Sequence, residues 1–165
     1  MRSRTRIIAI AVALAAAPAL AQDRPAWDAE LWSMEEGERL VASVTSVVPA
    51  DDELPPTLAL LCGENRNSYR LRYDPGEQAD DSTDWSGQSA AFEFSSGPVH
   101  VERELQFEAL DAMWAVSLPA DDPLVGLIRS GSDMVVSMSA GGVASTTFSL
   151  KGSSTAIAEM RKSCR

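Results

Sequence analysis

The sequence predicts a mainly β fold: an antiparallel β-sandwich or barrel-like domain with a short inserted helix and a disulfide-clasped C-terminal helix. Three observations carry this. Eight or nine short stretches alternate apolar with polar residues at period two, and Gly, Pro, Asn and Asp punctuate the chain between them. Two stretches change to helical spacing, one late in the chain and one at its end. Both cysteines, Cys62 and Cys164, fall on the apolar side of their elements.

The chain starts with Arg2, Arg4 and Arg6, an apolar run from Ile7 to Leu14 and an Ala-rich segment ending Ala19-Leu20-Ala21. A basic start, a short apolar run and small residues before a cut describe a secretory signal peptide, residues 1–21, with cleavage expected between Ala21 and Gln22. The apolar run is shorter than the roughly 20 residues that cross a bilayer, so no stable membrane insertion is expected after cleavage. The expected location is periplasmic or secreted. Residues 22–165 then form a single β-rich domain, long enough for a core of its own. Losing three arginines and no acid takes the formal charge from −10 to −13. Such an excess repels phosphate backbones and anionic lipid, which speaks against nucleic acid as a partner. It also favours solubility and attraction to a basic partner.

Trp27 and Trp32 bracket a first strand, Leu31–Glu35. A second, Glu38–Val48, puts Leu40, Ala42, Val44 and Val48 on one face, and 49–56 is a loop. Thr57–Cys62 follows, and the turn 63–67 returns it as a strand in which Tyr69, Leu71 and Tyr73 alternate with Arg70 and Arg72. Residues 74–84 are an acidic loop. The strand Ser89–Phe94 turns Ala90, Phe92 and Phe94 inward. In Val99–Glu108 the residues Val99, Val101, Leu105 and Phe107 oppose His100, Glu102, Glu104, Gln106 and Glu108, with Arg103 alone breaking the apolar side. Ala112, Trp114, Val116 and Leu118 align in the next strand.

Asp122 is placed to cap the inserted helix, with Pro123 as its first residue, Leu124, Leu127 and Ile128 as its buried stripe, and Gly131 as its end. Met134, Val136 and Met138 line the strand after it, and Gly141-Gly142 suggests a tight turn. The last strand sets Ala144, Thr146, Phe148 and Leu150 on one side. Ser153 or Ser154 then caps a helix whose Ile157, Met160 and Cys164 share a stripe. Cys62 follows Leu58 and Leu60 on an inward face, so the two sulfurs face one interior. A single bridge between them is expected in an exported domain.

Signs of chemistry are sparse. His100 is the single histidine and lies beside Glu102 and Glu104. A histidine with acids and a serine suits a small hydrolase, yet no Gly-x-Ser-x-Gly elbow presents a nucleophile. Asp80, Ser82 and Asp84 have the spacing that begins a calcium loop, but Trp85 and Ala91 occupy the glycine and closing glutamate positions. No phosphate-binding glycine loop is present. The expectation is therefore no catalytic residue, no metal and no cofactor. Two acidic surfaces remain as partner sites: the loop residues Asp80, Asp81 and Asp84 with Trp85, and the strand face of Glu102, Glu104 and Glu108.

The segment Thr146-Thr-Phe-Ser-Leu-Lys-Gly152 and the helix end Met160-Arg-Lys-Ser-Cys164 resemble the tail of the VasI/TagO-type periplasmic accessory proteins of type VI secretion. They resemble more weakly the exported invasion-associated locus B proteins. Leu58-Ala-Leu-Leu-Cys62, the strand Tyr69-Arg-Leu-Arg-Tyr73 and Met113-Trp-Ala-Val-Ser-Leu118 extend the likeness over roughly half of residues 22–165. The resemblance implies a periplasmic β-sandwich serving as a non-enzymatic accessory or interaction module. It brings no catalytic residue with it, and the acidic loop 74–84 departs from the pattern. The expected partner is a protein or cell-envelope component; the charge, and not the resemblance, adds the expectation that it is basic, a basic envelope protein being one version.

Overall fold

Period-two alternation builds the larger part of the described residues. The computed structural model describes residues 26–34, 37–46, 54–65, 67–76 and 85–164, and in it nine strands form one antiparallel sheet. They are β1 (Asp28–Met34), β2 (Gly37–Thr45), β3 (Thr57–Cys62), β4 (Ser68–Asp74), β5 (Ser89–Ser96), β6 (Val99–Glu108), β7 (Met113–Pro119), β8 (Asp133–Met138) and β9 (Thr146–Ser149). Helix α1 (Pro123–Ser130) joins β7 to β8, and α2 (Ser153–Ser163) follows β9. The order across the sheet is β1-β2-β3-β4-β7-β6-β5-β8-β9. The mainly β class, the inserted helix and the clasped terminal helix are as the alternation predicts.

The sheet curls until its two edges meet. Just before β1, the Trp27 amide donates to the Lys151 carbonyl at 2.9 Å, and its indole Nε1 donates to the Ser149 carbonyl at 3.0 Å. Tyr73 of β4 meets Phe92 of β5 and Phe148 of β9 edge-on, with ring centroids 5.7 and 6.1 Å away. Residues from opposite walls therefore share one interior, lined also by Leu58, Leu60, Leu71, Phe94, Leu105 and Trp114. The curl loosens between β6 and β7, which pair only from Gln106↔Ala115 to Glu108↔Met113.

Helix α1 begins as its cap residues dictate. Asp122 Oδ1 accepts from the Leu124 amide at 2.8 Å, Pro123 starts the helix, and Leu124, Val125, Leu127 and Ile128 are buried. Arg103, the break in the apolar side of β6, is explained here. Its Nη2 and Nε donate to the two carboxylate oxygens of Asp122, at 2.7 and 3.3 Å, so β6 holds the cap of α1. A bidentate pair of this kind fixes geometry as well as contributing energy.

Helix α2 departs from expectation at its start. Gly152 is the N-cap, at φ 83°, and a Cβ there would lie 3.1 Å from the Trp27 carbonyl oxygen. Ser153 does not cap because its buried hydroxyl donates to the Ile128 carbonyl at 2.7 Å, tying α2 to the last turn of α1. Ile157 and Met160 are buried as their spacing requires; full burial of such side chains contributes roughly 1.5–3 kcal/mol each. Cys164 bridges Cys62, with Cα atoms 5.4 Å apart, and both sulfurs lie 3.7 Å from Met160 Sδ.

Several boundaries move. β1 starts at Asp28 rather than Leu31, because residues 28–31 continue the ladder with β2; Glu35 lies outside the described residues. β2 ends at Thr45, and Val47 and Val48 are likewise outside them. β7 starts at Met113, since Ala112 takes a positive φ of 52° in the preceding turn and is exposed. The connection around Gly141-Gly142 is longer than a tight turn: β9 ladders only from Thr146, and Ala144 is exposed while Val143 is buried. β2 and β3 are buried on both faces. Val41, Ala59 and Leu61 form a second, smaller cluster on the outer side under Trp32 and Met34.

Tyr73 carries a prediction. Its hydroxyl is 3.2 Å from Thr146 Oγ1, which joins β4 to β9 across the interior. Burial is the main reason its pKa is raised above the ordinary 10.0; the Thr146 bond opposes the shift and Asp74 adds to it. The folded state thus holds this proton after the unfolded chain has released it. The contribution is complete below about pH 10 and is lost as pH rises through the folded pKa. Tyr73→Phe is expected to cost about 1 kcal/mol near neutrality, the net worth of one hydrogen bond. It should also flatten the decline in stability above about pH 10, read by urea unfolding across the alkaline range.

Candidate functional site

Alternation along β5 and β6 turns Phe92, Phe94, Val101 and Leu105 into the core, so Glu93, Ser95, His100, Glu102 and Glu104 are carried on the outer face. The register sets Glu93 opposite Glu102 and Ser95 opposite His100. His100 Nδ1 lies 3.0 Å from Glu93 Oε1; the two side chains are 61% and 47% exposed. Glu102 and Glu104 are exposed as well. This is a firm platform, because β5 is laddered on both sides, to β6 and to β8.

Glu108 belongs to a different arrangement. It is half-buried and salt-bridged to Arg70 and, at 3.0 Å, to Arg72, while Arg72 also meets Asp111 at 2.9 Å. Arg70 further donates to Ser117 Oγ at 3.0 Å. The expected row of three strand carboxylates is thus two exposed ones, Glu102 and Glu104, with Glu108 neutralised by arginines from β4. Glu93 is the member that sequence reading missed. Its outward phase was legible from Phe92 and Phe94, but the register that sets it against Glu102 was not.

Asp80, Asp81 and Asp84 lie outside the described residues. Trp85 is half-buried and packs edge-on against Trp114 at 5.4 Å, with Gly142 beside it. Its ring extends the core at one end of the curled sheet. A shallow notch of about 300 Å³ at the other end is lined by Glu64, Asn65, Asn67, Ser68, Ser117, Leu118 and Pro119. It contains none of the expected site residues.

The chemistry available on the β5–β6 face is charge and hydrogen bonding. His100 with Glu93 and a nearby serine has the components of an acid–base relay, yet among the described residues Ser95 Oγ makes no hydrogen bond to the ring. No group of three or more His, Cys, Asp or Glu side chains suited to a metal occurs among the described residues, and no helix among them is long and apolar enough to cross a membrane. No family model, curated protein or solved structure matches the chain.

Proposed function

We propose that this protein is an exported binding module without catalytic activity, whose β5–β6 face meets a basic protein of the cell envelope. The observation that carries this is the pairing of Glu93 directly with Glu102, with Glu104 beside them on the same strand as Glu102. Like charges directly opposite one another in a ladder are destabilising. Solubility alone does not require them to be adjacent, whereas a cationic partner turns the repulsion into attraction. The charge of −13 expected after leader removal acts in the same direction at longer range. A periplasmic accessory role in type VI secretion is the more specific form of this reading; it rests on the resemblance of the β9–α2 tail and the strands around Cys62 and Trp114.

The test starts with affinity capture from the periplasmic fraction of the source cell, followed by binding kinetics with the captured protein. Neutralising Glu93, Glu102 and Glu104 together to Gln should slow association by about tenfold at low salt and flatten its salt dependence. Unchanged kinetics at every ionic strength would put the binding surface elsewhere.

A small hydrolase is the second reading, favoured by the Glu93–His100 contact with Ser95 opposite the histidine. An open strand face offers such a relay little exclusion of water and no aligned oxyanion donors. His100→Ala separates the two readings, since it abolishes a hydrolase and leaves charge-driven binding almost intact.

A further inference from the structure

Among the described residues no strand is laddered to the outer edge of β1 beyond the seam at Trp27. The backbone from Asp28 to Met34 pairs, among these residues, only with β2, and the two edges of the sheet meet at Trp27, just before the strand, through its amide bond to the Lys151 carbonyl and its indole bond to the Ser149 carbonyl. The phase of the free edge can be read. Met34 and Gly37 close a hairpin with two residues between them, and such a pair exchanges both of its backbone bonds. Alternation then points the amides and carbonyls of Ala29, Leu31 and Ser33 away from β2. The Ala29 amide agrees, since it donates to the neighbouring Asp28 Oδ1 at 2.8 Å. Leu31, in the middle of the strand, is 65% exposed. An edge of this kind is a template for one more strand.

We infer that this edge pairs with the same edge of a second copy of the chain, antiparallel and two-fold, centred on Leu31. The arrangement follows from phase and charge. A two-fold axis normal to the sheet keeps each face continuous, so residues meet only partners of the same face. Centring on Leu31 sets Leu31 against Leu31, Ala29 against Ser33, Glu30 against Trp32 and Asp28 against Met34. Every outward-pointing residue then meets another, and no charge faces a like charge. Centring on Glu30 opposes two glutamates, and centring on Ala29 opposes Asp28 to Glu30, both destabilising. Centring on Trp32 carries the partner of Ala29 beyond the strand and separates the leucines. This edge is distinct from the β5–β6 face, so a dimer leaves both carboxylate surfaces open.

Both copies carry the same large negative charge, so salt should strengthen the dimer while weakening binding to a basic partner. Sedimentation of purified protein, expressed as the whole chain, is expected to show a monomer–dimer equilibrium that shifts towards dimer as salt rises. Leu31→Pro removes an outward amide and no ladder bond, so it should melt like the parent and weaken the dimer by at least about tenfold. With Cys62 and Cys164 still bridged, Leu31→Cys should oxidise to a covalent dimer well ahead of Glu30→Cys, because only residue 31 meets its own copy. A parent that stays monomeric at millimolar concentration in high salt overturns the inference. So does a Leu31→Pro protein that dimerises like the parent, or Glu30→Cys cross-linking as readily as Leu31→Cys. If Leu31→Pro fails to fold, the two cysteine variants decide.

Discussion

Replacing Cys62 and Cys164 together with alanine should lower stability by about 4 kcal/mol, with a drop in Tm of roughly 10–15 °C. The bridge closes a loop with a sequence separation of 102. In the chain-entropy model, a cross-link of that span restricts the unfolded ensemble by about 4–5 kcal/mol. The folded state has its own stake, because Met160 packs against both sulfurs and is fully buried beneath them. The loss should be uneven across the molecule. Helix α2 keeps the Ser153–Ile128 bond and its buried Ile157, so its N-terminal turn should stay protected in hydrogen exchange while its C-terminal turns open first. Guanidinium unfolding of the double variant measures the total. A loss under about 1 kcal/mol would show that α2 is held by packing alone.

Trp114→Ala should be about as damaging, costing about 3–5 kcal/mol. The indole is 1% exposed and is surrounded by Phe92, Phe107 and Trp85, with ring centroids at 5.1, 5.2 and 5.4 Å. These rings come from β5, β6 and the segment before β5, and β7 pairs with both β4 and β6. Truncation therefore opens a cavity at the loosest joint of the sheet, where β6 and β7 share a short ladder. Trp85→Ala is the internal comparison. That ring is half-buried, so roughly half the loss is expected from it. Equal losses from both would mean that Trp85 is as central to the core as Trp114.

Much of the local structure was legible because it depends on near neighbours. Period-two alternation marked eight or nine strands, since most strands of a curled antiparallel sheet bury one face and wet the other. The α1 boundaries were legible because capping is local: Asp122, Pro123 and Gly131 occupy the positions the sequence pattern assigns them. The cysteine pairing was legible because each sulfur's face was set by its own element, and two cysteines allow one bridge. Errors gathered where a distant residue overrode local preference. Ser153 is a good cap by composition, but the Ile128 carbonyl claims its hydroxyl and the close approach of Trp27 leaves that corner to glycine.

The candidate surface divides in the same way. That Glu93, His100, Glu102 and Glu104 face outward was determined by the chain alone, because each is flanked by residues that must be buried. Which of them stand together was decided by register and strand order, which no local pattern encodes. The β5–β6 ladder sets Glu93 against Glu102, and the insertion of β7 between β4 and β6 brings Arg70 and Arg72 to Glu108. The strand charge is thereby split into an exposed acidic pair and a neutralised cluster. The same separation applies to Arg103. By itself it is a flaw in an apolar stripe, and it becomes a clamp only when folding delivers the Asp122 cap of α1 to it. Alternation and capping act within a few residues and are written in the sequence, whereas the meeting of charges from distant strands exists only once the sheet has curled.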